Sequence, residues 1–288
     1  MIDIKYCPTC KSENVTVIKE LEYHYPEIID DYERDKRLRI AFEKIAKCDK
    51  KEILKFKICQ CNDCSFIYRN PRLTDEDVAA KYFWIAQYII KEGDIAKANI
   101  ISEDKKIKRE RSRIFINTQV ENRIRENLEK YVGIRAKTLL DFGGADGKKC
   151  INLRDKYDCG VIELSKYPML KGVRYIGENL KSCKGKKYDI ILLIHVLEHM
   201  NKPVEFLLNL KKHLKKNRGI IIISVPIGYI KEWQYQKEPL THCNFYSKGS
   251  LKKTLDISGY KNLEIKEYAY SDMIKPRGIE EIFYIGKV

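Results

Sequence analysis

At 288 residues with 44% hydrophobic content, the chain is long enough for one α/β domain of ordinary size behind an N-terminal extension. No run approaches the roughly 20 apolar residues of a membrane-spanning helix, and Met1 to Tyr6 lacks the basic-then-apolar order of a signal peptide, so no membrane span and a cytoplasmic location are expected. The formal charge of +15 comes from lysines scattered along the chain, as at Lys47, Lys50, Lys51, Lys55 and Lys57. Such scatter reads as solvated faces more than as one docking stripe and makes nucleic acid the lesser expectation as a partner.

Residues 1–73 form the first expected unit. Cys7-Pro8-Thr9-Cys10 and Cys61-Asn62-Asp63-Cys64 are two Cys-x-x-Cys knuckles, each able to give two thiolates to one tetrahedral ion. Ten cysteines without an export signal should be thiols or metal ligands rather than disulfides. Cys7, Cys10, Cys61 and Cys64 are thus the expected ligands of a structural zinc, and four thiolates leave no open position for catalysis. Cys59 offers an alternative ligand, but two intervening residues suit a knuckle turn better. Between the knuckles, residues 28–54 are charged and helix-favouring, with Leu38, Phe42, Ile45 and Ala46 at helical spacing, and can return the second knuckle to the first as a hairpin does. Cys150, Cys159, Cys183 and Cys243 stand singly and read as small buried hydrophobes.

Residues 74–134 read as a helical connector or lid. Thr74 and Asp77 ahead of Val78 have the pattern of an N-cap, and Ile114, Val120, Ile124 and Leu128 fall at amphipathic-helix spacing. From residue 135 to 288, short apolar runs alternate with helical segments, the pattern of a parallel sheet wrapped by helices. Seven strands are expected, over residues 138–142, 159–163, 173–176, 189–194, 220–225, 263–269 and 282–285.

The first of these strands runs into Asp141-Phe142-Gly143-Gly144-Ala145-Asp146-Gly147, after which a helix is expected from Lys148. Glycines serve where a chain turns sharply from strand to helix and where backbone must approach a ligand. Glu163 ends the next strand, where a carboxylate can accept both hydroxyl protons of a ribose. The loop does not spell the Gly-x-Gly-x-x-Gly that grips a pyrophosphate, and its acids suit a ligand carrying an amine and no phosphate. Further on, the run from Tyr188 to Met200 is a buried strand leading into Val196-Leu197-Glu198-His199, followed by a helix, a turn and the strand end Ser224-Val225-Pro226. His195, at the carboxyl end of the fourth strand, should face a bound ligand.

The stretch from Asp141 to Gly147 resembles the first motif of class I methyltransferases, acid-x-Gly-x-Gly-x-Gly, with Ala145 in place of the middle glycine. The Val-Leu-Glu-His and Ser-Val-Pro elements, with Thr241-His242-Cys243-Asn244-Phe245-Tyr246-Ser247, resemble the small-molecule branch of that family, and Phe66 to Pro71 resembles the stretch after the zinc knuckle in methyltransferases acting on sugars and related metabolites. The resemblance implies a Rossmann-like seven-stranded α/β sheet and S-adenosylmethionine as cofactor. In it Gly143, Gly144 and Gly147 line the cofactor, Asp141 approaches its amino group directly or through water, Glu163 holds the ribose, and Glu178 and Asn179 support the adenine. His199 stands as an orienting or proton-transfer group, with a structural turn histidine as the alternative. His242 would lie beside the acceptor pocket, with a helix-capping role as the alternative. The implied reaction is methyl transfer to oxygen or nitrogen of a small polar acceptor, a sugar, nucleotide-sugar or surface-glycan building block. Two other readings stay open, an RNA methyltransferase and a non-catalytic adaptor retaining the fold.

Overall fold

The computed structural model describes residues 1–24, 53–79, 118–165, 168–228, 241–270 and 279–288. Most of the helix-favouring run expected over residues 28–54, and Ile114, lie outside the described residues. Two sheets organise the rest. The larger is built from β4 (Thr138–Phe142), β5 (Asp158–Ile162), β6 (Arg174–Gly177), β7 (Ile190–Ile194), β8 (Ile220–Pro226), β10 (Lys261–Tyr270) and β11 (Ile279–Lys287) in the order β10-β11-β8-β7-β4-β5-β6. Its five central strands from β8 to β6 are parallel, whereas β11 runs antiparallel between β8 and β10.

The sequence forces this layering. All five residues of β7, Ile-Ile-Leu-Leu-Ile, are buried, as a strand covered on both faces requires. Alternate side chains serve alternate faces: Ile191 and Leu193 join Ile221, Ile223, Ile282 and Tyr284 on one, while Ile190, Leu192 and Ile194 join Ile220, Ile222, Phe283 and Ile285 on the other. The second face is covered by α1, residues 118–131, through the stripe Val120, Ile124 and Leu128. The first is covered by α2 (Pro203–Lys211) and α3 (Lys248–Ile257) through Leu207, Leu210, Leu251 and Leu255. Each such aliphatic side chain contributes about 1.5–3 kcal/mol relative to exposure. Ser247 and Ser250 form a reciprocal cap that starts α3, and Thr74 and Asp77 exchange the same pair of hydrogen bonds at the turn of helix over residues 75–79.

The smaller sheet was not expected. β1 (Val15–His24), β2 (Ile53–Cys61), β3 (Ile67–Asn70) and β9 (Asn244–Phe245) form an antiparallel ladder in the order β1-β2-β3-β9. Ile53 and Leu54, assigned above to a helical run, instead open β2. The β1–β2 hairpin sets Val15 opposite Cys61 and so returns the second knuckle to the first. Phe66 and Tyr68 pack into the same core as Leu207, Tyr246 and Leu251, which joins the two sheets. A second correction concerns the segment after the glycine loop. No regular α-helix follows Gly147; a 3-10 turn, Lys148–Cys150, passes into successive turns before β5. Gly147 has φ +84°, and the following amides bond three residues back, Cys150 to Gly147 and Leu153 to Cys150, so the ladder stays in the tighter spacing.

Asp189, immediately before β7, fixes the start of the sheet. Its carboxylate accepts from the backbone N–H of Lys137 (3.0 Å) and Thr138 (3.1 Å) and from the Thr138 hydroxyl (2.9 Å), and it pairs with Lys215 Nζ (2.8 Å) and Arg218 Nε (3.1 Å). Burial alone would raise its pKa, but Lys215 and the N–H donors draw it down to about 2. A depressed folded pKa stabilises above the unfolded value and loses that stabilisation as pH falls through the folded one. Asp189→Asn is therefore expected to cost about 1–2 kcal/mol at pH 7, after allowance for solvent around the two partly exposed cations. The gap to wild type should close between about pH 4 and pH 2, as read by denaturant melts at stepped pH.

Candidate active site

In an open α/β sheet, ligands bind beyond the carboxyl ends of the strands where the strand order reverses. Here β4 lies between β5 and β7, and a cleft of about 890 Å³ opens at that place. Phe142 and Gly143 from the end of β4, Ile162 and Glu163 from β5, Glu178 and Asn179 after β6, and His195 and Val196 after β7 all line it. His199, Met200, Phe206 and Asp75 complete the wall toward the connector and α2. Of the residues expected to bind cofactor, Gly143, Glu163, Glu178, Asn179 and His195 border this cleft. Asp141, in β4, and Gly144 and Gly147, in the loop after it, are not among its lining residues.

The loop is tightly determined. Gly143 and Gly147 take φ of +72° and +84°, and a Cβ on Gly144 would meet the Asp141 carboxylate at 2.5 Å. Ala145 also sits in the left-handed region, at φ +51°, which an L side chain adopts only at a cost and which explains the usual glycine there. Its N–H donates to Glu163 Oε2 (2.9 Å), and the N–H of Ser165 donates to Oε1 (3.0 Å). Glu163 is thus first a clamp on the loop, a role not foreseen above, with each oxygen retaining a further lone pair. Asn179 likewise has a structural duty, its side chain accepting from the N–H of Lys181 to cap a 3-10 turn.

Asp141 is fully buried, and among the described residues neither carboxylate oxygen has a hydrogen-bond partner. Burial pushes its carboxyl up to about 6, and the neighbouring Glu163 adds to the rise. An acceptor left in this condition fits a ligand that brings a cationic amine, or a water held by one, to the underside of the loop.

Beside the cleft lies a second constellation. His195 takes φ +56°, and its Nε2 is 2.7 Å from Glu281 Oε1 while Nδ1 is 3.4 Å from Glu198 Oε1. Desolvation pulls this imidazole's pKa down, yet Glu281 and Glu198 outweigh it and raise it to about 10. The other oxygen of Glu281 accepts from the Ser224 hydroxyl (3.0 Å). Glu198 is 1% exposed and lies 3.8 Å from His199 Nε2. Burial would raise its carboxyl, but His195, His199 and His242 hold it down at about 2. His199 and His242 meet edge to face with ring centroids 4.6 Å apart, so His242 is placed against His199, while the cap of α3 is Ser247. Glu198 entered the sequence reading only as part of the Val-Leu-Glu-His run, facing either ligand or helix packing, and nothing local marks Glu281.

Residues 197–201 and 241–246, which carry Glu198, His199 and His242, are stapled together. Asn244 Nδ2 donates to the carbonyls of Leu197 (3.0 Å) and Met200 (2.7 Å), and the Cys243 N–H donates to Glu198 O (2.9 Å). Arg72, 1% exposed, donates to Asn201 O (2.8 Å), Cys243 O (3.2 Å) and Asn244 Oδ1 (2.9 Å). Further along the same N-terminal unit, Cys7, Cys10, Cys61 and Cys64 converge, with Cys7 and Cys64 sulfurs 3.6 Å apart and those of Cys10 and Cys61 3.5 Å apart. A zinc with four sulfurs at about 2.3 Å requires edges of roughly 3.8 Å, so this donor set fits one ion. Cys59 is buried but stands outside the four.

Comparisons with known proteins bear on the larger sheet. A family model described as a methyltransferase domain matches residues 116–265, which is 150 of the 288 residues. The ubiquinone biosynthesis O-methyltransferase of Rickettsia canadensis (strain McKiel) is 28% identical over 117 residues, 36% of this chain and 48% of that protein, so the chain spans about half the length of this curated relative. Among solved structures, a SAM-dependent methyltransferase from Archaeoglobus fulgidus is 17% identical with a TM-score of 0.46, covering 60% of this chain and 94% of that one. A complex of the Haloferax volcanii Trm112 methyltransferase activator with a methyltransferase gives 11% identity and a TM-score of 0.46, covering 59% and 92%. The match begins just ahead of α1, runs through every strand that lines the cleft and ends inside β10, and on that span this chain belongs to the methyltransferase-domain family.

Proposed function

We propose that the protein transfers a methyl group from S-adenosylmethionine to oxygen or nitrogen of a small polar acceptor, with a sugar, nucleotide-sugar or surface-glycan building block as the acceptor class. The observation that carries the reading is the buried Asp141, without a hydrogen-bond partner among the described residues, beside a left-handed glycine loop at the switch point of the sheet. A pyrophosphate has no place beside it, since Asp141 and Glu163 are both acidic and no α-helix N-terminus follows the loop. The cofactor supplies a methyl group already activated on a sulfonium centre. This chain supplies alignment and exclusion of water. Asp141 receives the amino group directly or through water, the remaining lone pairs of Glu163 receive the ribose hydroxyls, and Glu178 and Asn179 border the adenine. Gly143, Gly144 and Gly147 let the backbone come close. His199 and His242 orient the acceptor.

The O-methyltransferase name of the Rickettsia relative supports oxygen as the acceptor atom. The glycan class rests on the resemblance of Phe66 to Pro71 and of the knuckles ahead of it to methyltransferases of sugars. We assign Cys7, Cys10, Cys61 and Cys64 to a structural zinc, supported by their mutual approach.

Glu163→Ala is expected to weaken binding of S-adenosylhomocysteine by about 1–3 kcal/mol, through lost charged hydrogen bonds to the ligand and to Ala145. Calorimetry on the purified chain checks this, and unchanged affinity would remove Glu163 from the cofactor site. Incorporation of radiolabelled methyl groups into a panel of sugars and nucleotide-sugars identifies the acceptor; label appearing only in RNA would overturn the small-molecule assignment. For the zinc, Cys10→Ser should release one ion per chain, seen by metal analysis, and loosen β1 to β3 while sparing the larger sheet. Retention of one zinc by that variant would argue against this ligand set.

A further inference from the structure

Glu198 is withdrawn from water to 1% exposure, yet among the described residues neither of its carboxylate oxygens has a close hydrogen-bond donor, the nearest imidazole nitrogen being His195 Nδ1 at 3.4 Å from Oε1. An ionised carboxylate in that position needs positive charge aimed at it. Its immediate surroundings supply imidazoles: one ligand atom each from Glu198, His199 and His242 lie within 4.8 Å of one another. In His199, Nδ1 stands 3.1 Å from the carbonyl of Thr241, which can only accept. Nδ1 therefore carries the proton, and in the neutral ring the lone pair is on Nε2, the nitrogen that faces Glu198 at 3.8 Å. An imidazole whose second nitrogen donates to a backbone carbonyl is the usual arrangement of a metal-bound histidine, because that bond fixes both the tautomer and the ring plane.

The surroundings hold the three groups in place. His195 binds Glu281 through Nε2 and turns Nδ1 toward Glu198 at 3.4 Å, so each of its nitrogens faces a carboxylate. Asn244 and Arg72 tie the two segments that carry the cluster to each other. His199 borders the cleft.

We propose that Glu198, His199 and His242 form a binding site for a divalent first-row transition-metal cation beside the cleft that His199 borders, a site separate from the four-cysteine cluster. Two imidazoles and one carboxylate favour such a cation over calcium or magnesium, whose sites are built from oxygen alone. Three protein ligands leave room in the coordination shell for an exogenous oxygen. The use of the site rests on the methyl-transfer reading: the cation would hold a hydroxyl or carboxylate oxygen of the acceptor and favour a hydroxyl's deprotonated form. That gives His199 and His242 their orienting role by way of the ion.

The test is titration of the purified full chain with Mn²⁺ alone, following loss of the free-ion EPR signal, and with Ni²⁺ alone by calorimetry. One saturable site per chain is expected for each, the two cations competing. Glu198→Gln and His242→Ala should each weaken it about tenfold or more, with S-adenosylhomocysteine affinity unchanged in His242→Ala. Should Glu198→Gln fail to fold, His242→Ala decides alone, because that ring is only half-buried. Absence of saturable binding of both cations, or binding that His242→Ala leaves intact, overturns the site. Adenosyl binding without cation binding would sink this inference and leave methyl transfer standing; cation binding without adenosyl binding would do the reverse.

Discussion

A guanidinium drawn out of water has to be surrounded by acceptors, and Arg72 meets that demand without a carboxylate. It spends its donors on backbone carbonyls of Arg69, Asn201 and Cys243 and on the side-chain oxygen of Asn244, and its plane lies 5.4 Å from the Tyr68 ring centroid. Those acceptors belong to three separate segments, β3 itself, the turn after β7 and the stretch ahead of α3 that holds Cys243 and Asn244. Holding the three at once is what gives the histidines of the last two a fixed mutual position. Loss of such a cation would leave several buried carbonyls short of donors, each costing about 1–3 kcal/mol.

A second constraint runs through the site: four carboxyl groups, Asp141, Glu163, Glu198 and Glu281, are withdrawn from water near the ends of neighbouring strands. Each is accommodated differently. Glu163 is met by backbone N–H groups, Glu281 by a hydroxyl and an imidazole, and Glu198 by imidazoles alone. Asp141 accepts no hydrogen bond among the described residues, and burial raises its pKa in spite of the Lys149 charge. Structural carboxylates find their partners inside the chain, whereas one that lacks them is the better guide to where a ligand's charge belongs.

Much of this architecture was legible in the chain. All seven strands of the larger sheet fall where short apolar runs between helical and turn segments put them, because a run such as Ile-Ile-Leu-Leu-Ile is satisfied only as a strand covered on both faces. Cleft residues followed once the loop after β4 and the acid after β5 were recognised, since sheet topology dictates where strand ends converge. The smaller sheet was hidden because β1 and β2 alternate apolar residues with Lys and Glu, as in Leu54-Lys55-Phe56-Lys57-Ile58, a pattern the dense charge of the surrounding segment obscures. Glu281 was unreadable for another reason. Its neighbours Glu280 and Ile282 give it no local distinction, and only the antiparallel return of β11 beside β8 brings it to His195, 86 positions earlier. The missing helix after Gly147 shows the limit of motif reasoning: glycine content announces the turn but not the hydrogen-bond spacing that follows it.

The two-residue strand β9 carries a consequence for how such a protein can change over time. Ile67 and Tyr68 of the N-terminal unit share a ladder with Phe245 and Asn244, residues that lie 178 and 176 positions further along the chain and follow closely on His242. Neither stretch can drift alone without breaking the seam, so the cysteine-bearing unit and the loop ahead of α3 should be inherited as a matched pair. A chimera that imported a foreign knuckle unit would have to import that loop with it.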